Sequence, residues 1–205
     1  MKKIMAKLLR KERQKIKDYY ELKKNFENYL ESSKRHLDFG CGFGTLPYLI
    51  ACEHPEMKVK GIDTKKDEIT TGKKRYIAPN LMLNISNKVN GKFDTISTFF
   101  VLHEIIGDLD KHLKVFYSHL NKHGKIIIED ARKVSKKRFM KFYYKPRLAE
   151  SRLNKAYILK SFEEEYKHNC KFNSKQIIST LEKAGFKTLR IKFFETSLLY
   201  IGEKK

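Results

Sequence analysis

The residues best suited to chemistry lie in one run, His36-Leu37-Asp38-Phe39-Gly40-Cys41-Gly42-Phe43-Gly44. Three alternating glycines permit positive φ and let a ligand rest directly on the backbone. A glycine-rich turn between a strand and a helix is a nucleotide-type site. Two details narrow the ligand. Thr45 stands where a dinucleotide fingerprint wants Gly or Ala, and Asp38 sits two residues before the first glycine. A carboxylate repels a pyrophosphate but welcomes a ligand carrying an ammonium and a sulfonium. Asp63 follows Gly44 by 19 residues, where a ribose hydroxyl pair is held in nucleoside sites. Its competing reading as a helix N-cap is the weaker one, because Thr64 can serve as that cap.

The elements that must position these residues follow from hydrophobic periodicity. Apolar residues at helical spacing predict one long helix over 2–31. Strands are expected at 35–39, 58–62, 81–83, 93–99 and 125–129, with helices over 45–54, 65–76 and 109–121 between them. This order predicts an α/β fold with a parallel sheet and right-handed crossovers. A basic, aromatic-rich stretch with helical character fills 131–172. A helix over 174–184 follows, and then two strands, 186–194 and 196–202, joined by a turn so short that they must pair antiparallel. The expectation is a single domain over 1–205, with an N-terminal helix (1–31), a cofactor-binding half (32–130), an inserted basic lid (131–172), and a terminal helix and hairpin (173–205).

The D-x-G-x-G-x-G run at 38–44 resembles the first motif of class I S-adenosylmethionine-dependent methyltransferases. Asp63, Phe93-Asp94-Thr95-Ile96, Leu102-His103-Glu104-Ile105, the stretch 120–128 and Ala184-Gly185-Phe186 match later motifs in order. The spacing is similar to the small-molecule branch that includes the quinone-biosynthesis methyltransferases. The resemblance implies a doubly wound, mostly parallel seven-stranded sheet with helices on both faces and a C-terminal antiparallel hairpin. It implies S-adenosylmethionine as cofactor, with Asp38, Gly40 and Gly42 at its methionine end, Cys41 also cofactor-binding, and Gly44 allowing the turn into the helix. Asp63 would hold the ribose, with Thr64 beside the adenine. Asn84, followed by Ile85, stands where the family often has an acid that reads the adenine amino group, and an Asn amide oxygen can accept the same bond. Thr98 is also assigned to the cofactor. His103 is the candidate base, with packing over the sulfonium as the competing reading. Glu104, Arg132 and Tyr143 are the candidate substrate residues. Lys122-His123-Gly124 replaces the family's usual Pro-Gly-Gly.

Composition sets the remaining bounds. Net charge is +21, with 12 Lys/Arg against 5 Asp/Glu in 1–35, 13 against 12 in 36–130, and 20 against 7 in 131–205. The excess therefore sits in the two flanks and favours anionic partners, with lysine as a routine surface residue the competing reading. A small-molecule acceptor, anionic or membrane-associated, is the leading expectation. The alternatives are an RNA or protein methyltransferase docking through the basic flanks, and a non-enzymatic nucleic-acid- or membrane-binding protein that keeps the fold. Peripheral membrane contact through helix 2–31 is a further option, and oligomeric state is open. No secretory signal or spanning segment is expected. Cys41, Cys52 and Cys170 form no C-x-x-C pair, which points to a cytoplasmic protein without a metal site.

Overall fold

The computed structural model describes residues 16–105, 109–146 and 155–205. Most of the predicted first helix lies outside these residues. A helix, α1, covers 16–23 and then stops, and a short 3-10 turn follows at Glu27–Tyr29. The uninterrupted helix to residue 31 is thus corrected. Asn25 Nδ2 donates to the carbonyls of Glu21 and Leu22 at 3.1 and 3.2 Å, a side-chain bond that competes with continuing the helix. Phe26 and Leu30 are buried, as the apolar spacing implied, but so is Lys23. Its ammonium pairs with Glu27 at 3.0 Å and with Glu53, which is how a lysine tolerates burial.

From there strands and helices alternate. They are β1 (Arg35–Phe39), α2 (Thr45–Glu53), β2 (Lys58–Asp63), α3 (Lys66–Arg75), β3 (Leu81–Ile85), β4 (Phe93–Phe99), α4 (Leu109–His119) and β5 (Leu120–Ala131). Next come α5 (Lys136–Phe139), running into a π-helical turn at Met140–Tyr144, then α6 (Lys155–Asn169), α7 (Ser174–Lys183), β6 (Phe186–Phe193) and β7 (Ser197–Lys204). The seven strands form one sheet in the order β3-β2-β1-β4-β5-β7-β6. β1 runs parallel to β2 and β4, β2 runs parallel to β3, and β6 pairs antiparallel with β7. The mixed α/β sheet with its antiparallel ending is the expected fold. No helix among the described residues is long and apolar enough to cross a membrane.

Several element ends differ from expectation by one or two residues, and the start of β5 differs by more. β5 begins at Leu120, five residues early, directly after α4. His123, standing in for a family glycine, adopts φ 60°, a left-handed conformation that histidine enters more readily than most residues.

The chain divides into two compact units, Met1–Ser97 with His119–Lys125, and Thr98–Ser118 with Ile126–Lys205. In the first, Asp94 anchors the start of β1. Its Oδ2 accepts from the N–H groups of Lys34 and Arg35, and its Oδ1 from Asn121. Burial alone would raise this carboxyl, but the bonds from Asn121 and the two N–H groups hold it below its usual range. In the second, Val134, Phe139, Tyr144 and Cys170 form a core, with Tyr143, Phe162 and Tyr166 packed on it. A capping box between Asn173 and Gln176 starts α7.

Candidate functional site

The first unit carries the glycine loop. β1 delivers Asp38 to a buried position, and the loop runs through Gly40, Gly42 and Gly44, all at positive φ. Gly44 caps α2 at φ 82°, and a Cβ there would stand 2.6 Å from Leu83 Cδ1. Only glycine meets both demands. Gly72 on α3 has an equally specific reason: its missing side chain lets the Phe43 carbonyl approach to 2.0 Å of where a Cβ would be. The sequence reading passed over Gly72, since a lone helical glycine carries no spacing signal.

The loop's backbone donors are largely committed. Gly40 and Cys41 N–H both donate to the Ile62 carbonyl, Gly44 N–H to Cys41, and Gly42 N–H to Asp63 Oδ2 at 2.8 Å. A phosphate cradle needs such donors for its anion. Instead, carboxylates surround the loop. Asp63 Oδ1 accepts from Lys65 N–H, and Glu68 Oε2 lies 2.9 Å from where a Gly42 Cβ would stand. Burial, followed by the nearby Asp63 charge, pushes Asp38 up to about 7, although a bond from Ser97 opposes the rise. Three acids around a loop with few spare N–H donors suit a cationic ligand.

Asp38 belongs to a buried relay that sequence reasoning missed. Ser97 Oγ donates to Asp38 Oδ1 at 2.6 Å and lies 3.1 Å from His36 Nε2, while His36 Nδ1 lies 2.8 Å from Thr95 Oγ1. Ser97's single proton is committed to Asp38, so His36 donates from Nε2 and accepts from Thr95. Burial pushes His36 down to about 3, keeping it neutral. The register His36↔Thr95 and Asp38↔Ser97 of the β1–β4 pair sets this chain. Tyr19 of α1 is a second missed residue. Its half-buried phenol is raised to about 12, by burial first and then by Asp38, Glu68 and Cys41.

The remaining first-unit candidates differ in character. Cys41 packs its thiol with Ile69 and Leu83, and burial raises it well above the usual thiol range. Its N–H is bonded to the Ile62 carbonyl. Thr64 is exposed beside Asp63. Asn84 and Ile85 end β3 opposite Ile62 and Asp63, with Asn84 partly covered and Ile85 half exposed.

The second unit carries His103. It is buried, and its Nδ1 lies 2.6 Å from Asp130 Oδ1 at the end of β5. Asp130 also accepts from the N–H groups of Leu102 and Ala131, so its carboxylate is fixed before it fixes the ring. Sequence reasoning did not single out Asp130, which lies just past the expected strand end at 129. Phe100, just after β4, adopts φ 56° and donates its N–H to the Glu129 carbonyl. Thr98 Oγ1 and Glu129 Oε2 are buried with no hydrogen-bond partner among the described residues. Burial pushes Glu129 up, as does Asp130, against a bond from Ser197.

The substrate candidates separate. Glu104 Oε1 lies 2.9 Å from His168 Nε2, and 3.5 Å from His103 Nε2. Arg132 directs its guanidinium to the hairpin turn, donating to the carbonyls of Ser197 and Phe194. Tyr143 stacks on Phe139 at 4.6 Å between ring centroids and donates to Asn169. It therefore belongs to the aromatic core.

Comparison with known proteins adds the family. The chain matches the family model described as a methyltransferase domain over residues 8–191. No curated protein matches it. Among solved structures it resembles an O-methyltransferase family protein from Burkholderia thailandensis (TM-score 0.63, 13% identity), covering 86% of this chain but 52% of that one. The chain thus spans about half the length of that relative. It also resembles the plantazolicin methyltransferase BpumL, solved with a substrate analogue and SAH (TM-score 0.67, 14% identity, 95% and 90% covered). A third is a putative S-adenosylmethionine-dependent methyltransferase from Listeria monocytogenes (TM-score 0.61, 18% identity, 84% and 91% covered). With the family model spanning most of its length, the chain belongs to the methyltransferase-domain family.

Proposed function

We propose that this protein transfers a methyl group from S-adenosylmethionine to a small-molecule acceptor at an oxygen or nitrogen atom. The observation that carries the reaction is the buried His103–Asp130 pair. The cofactor supplies an electrophilic methyl group on a sulfonium. Asp38, Asp63 and the loop Gly40–Gly44 would hold it, with Asn84 and Ile85 as further contacts. The fit rests on the acids around the loop and on the committed N–H groups, which favour a cation over a pyrophosphate. The solved neighbours with SAH or S-adenosylmethionine support the same choice of cofactor.

His103 is the proton acceptor. With Nδ1–H donated to Asp130, the tautomer is fixed and the Nε2 lone pair becomes the basic position. Asp130 also stabilises the imidazolium once the proton arrives, the role a carboxylate plays in hydrolytic triads. Alignment of the acceptor with the methyl group supplies the rest of the acceleration.

The basic stretch after β5 reads as a covering element with buried rings rather than a nucleic-acid face. Lys136 is paired with Glu163 and Arg138 with Glu195, each at 2.6 Å, so two of its cations are already matched. The test is transfer of labelled methyl from S-adenosylmethionine into a panel of phenols and amines. The reading predicts a methylated product that His103→Ala abolishes while SAH binding persists. Full turnover by His103→Ala, or label incorporated only into RNA, would overturn it.

A further inference from the structure

Three ligating atoms converge in the second unit from distant parts of the chain. His103 Nε2, Glu104 Oε1 and His168 Nε2 all lie within 4.8 Å of one another. His103 and Glu104 follow β4, whereas His168 belongs to the last turn of α6. The two imidazoles meet edge to face at 5.3 Å between centroids. We propose that His103, Glu104 and His168 form a binding site for a divalent transition-metal ion of the zinc type.

The geometry supports this in detail. A tetrahedral zinc with bonds of about 2.0–2.1 Å separates its ligand atoms by about 3.4 Å. The His103–Glu104 separation of 3.5 Å matches that, and the His168–Glu104 separation of 2.9 Å is slightly shorter. The Glu104 and His168 side chains are 58% and 42% exposed, so both can turn to close the third edge, while His103 is fixed. Two imidazoles and one carboxylate leave a fourth position open, as in catalytic zinc sites. Nitrogen donors select zinc and its transition-metal neighbours over magnesium or calcium.

Asp130 supplies the outer shell. Metal-binding histidines donate their second ring N–H to a carboxylate or carbonyl, which fixes the tautomer and makes the ligating nitrogen more basic. The 2.6 Å His103–Asp130 contact is such a bond. Lys171 brings an opposing charge, since its ammonium donates to the His103 carbonyl at 2.6 Å. Asp130 and Glu104 offset it, and Glu164 and Glu165 line the hollow beside His168 together with Lys167. No sequence motif marks this site, because 64 residues separate Glu104 from His168. If His103 is the base of methyl transfer, the ion and the acceptor's proton compete for the same nitrogen lone pair, and zinc then inhibits turnover.

Zinc binding can be measured independently of methyl transfer. The full chain, stripped with a chelator, is titrated calorimetrically with zinc, and cobalt(II) is added separately to read its visible ligand-field absorption. The expected result is one ion per chain and a four-coordinate cobalt spectrum. His168→Ala and Glu104→Gln should each weaken zinc at least about tenfold, and Asp130→Asn by about 10–100-fold. His112→Ala, on α4, should bind as the unaltered chain does. Thermal unfolding of each variant confirms folding, and SAH binding on the same samples reports the methyltransferase reading separately. Absence of saturable zinc binding, or binding that a folded His168→Ala leaves unchanged, would overturn the site.

Discussion

Ser97 Oγ donates a 2.6 Å hydrogen bond to Asp38 Oδ1 in a part of β1 and β4 where both residues are buried. That bond favours the carboxylate, yet burial outweighs it, and Asp38 is held up at about 7. A buried acid poised at neutrality is costly when ionised and useful when a cation arrives.

The sign of its pH dependence follows from linkage. In the unfolded chain Asp38 titrates near 3.8, and in the folded protein near 7. Its stabilising contribution is full below 3.8 and is lost as pH rises to about 7, by up to roughly 4 kcal/mol. His36 opposes this, since its folded value of about 3 makes stability rise with pH up to 6.5. The difference between the unaltered protein and Asp38→Asn isolates the Asp38 part. Denaturant unfolding at pH 5 and pH 8 should show Asp38→Asn gaining stability mainly at pH 8. A gain of equal size at both pH values would contradict the shift.

The same residue should discriminate charge on the ligand. S-adenosylmethionine carries a sulfonium and SAH does not, so the ratio of their affinities should move toward S-adenosylmethionine as pH rises through about 7. Asp38→Asn should flatten this dependence. Paired calorimetric titrations across pH 6–8 check it.

Asp130→Asn should lower kcat by about 10²–10³-fold, because an amide allows the wrong His103 tautomer and no longer stabilises an imidazolium. SAH affinity should stay within about twofold. A pH–rate profile separates this from simple misfolding: at high pH, where the acceptor loses its proton without the base, part of the lost rate should return.

The glycines of the loop should be intolerant for different reasons. Gly44→Ala places a side chain at φ 82° and against Leu83, at a combined cost of about 2–4 kcal/mol. Gly72→Ala drives a methyl group into the Phe43 carbonyl, which must displace the loop. Both variants should lose SAH binding more than a tenfold drop, with Gly91→Ala, remote from the loop, as the comparison.

Replacing Lys136, Lys137 and Arg138 together with alanine should leave turnover on a small acceptor intact. Two of these cations are tied to exposed acids, and such pairs contribute about 0–1 kcal/mol each. Chemical denaturation and steady-state kinetics check both parts.

The fold was largely readable because the glycine run, Asp63 and the alternating apolar strands are local signals. The strand positions followed, with ends shifted by one or two residues, whereas β5 starts five residues early and carries a left-handed His123 that no propensity announces. The site was half readable. Asp38 and His103 stand in motifs, but Ser97, Asp130 and His168 reach them only through strand register or through the return of a distant helix. The partners of Arg132 and Tyr143 were hidden for a related reason: a cation or a ring in a basic segment carries no local sign of the carbonyls or the stacking partner it meets. Lys23 shows the converse, a charge on a helix face that two glutamates bring inside.

The most direct measurement is calorimetric titration of the full chain with S-adenosylmethionine, SAH and NAD, paired with thermal unfolding. Saturable binding of the two adenosyl ligands at one site per chain is the expected result. At about 100 times the dissociation constant each should stabilise the protein by roughly 2.7 kcal/mol, and NAD should do nothing. Binding of NAD in their place, or no response to either adenosyl ligand, would contradict the reading of the acidic glycine loop as a site for a sulfonium cofactor.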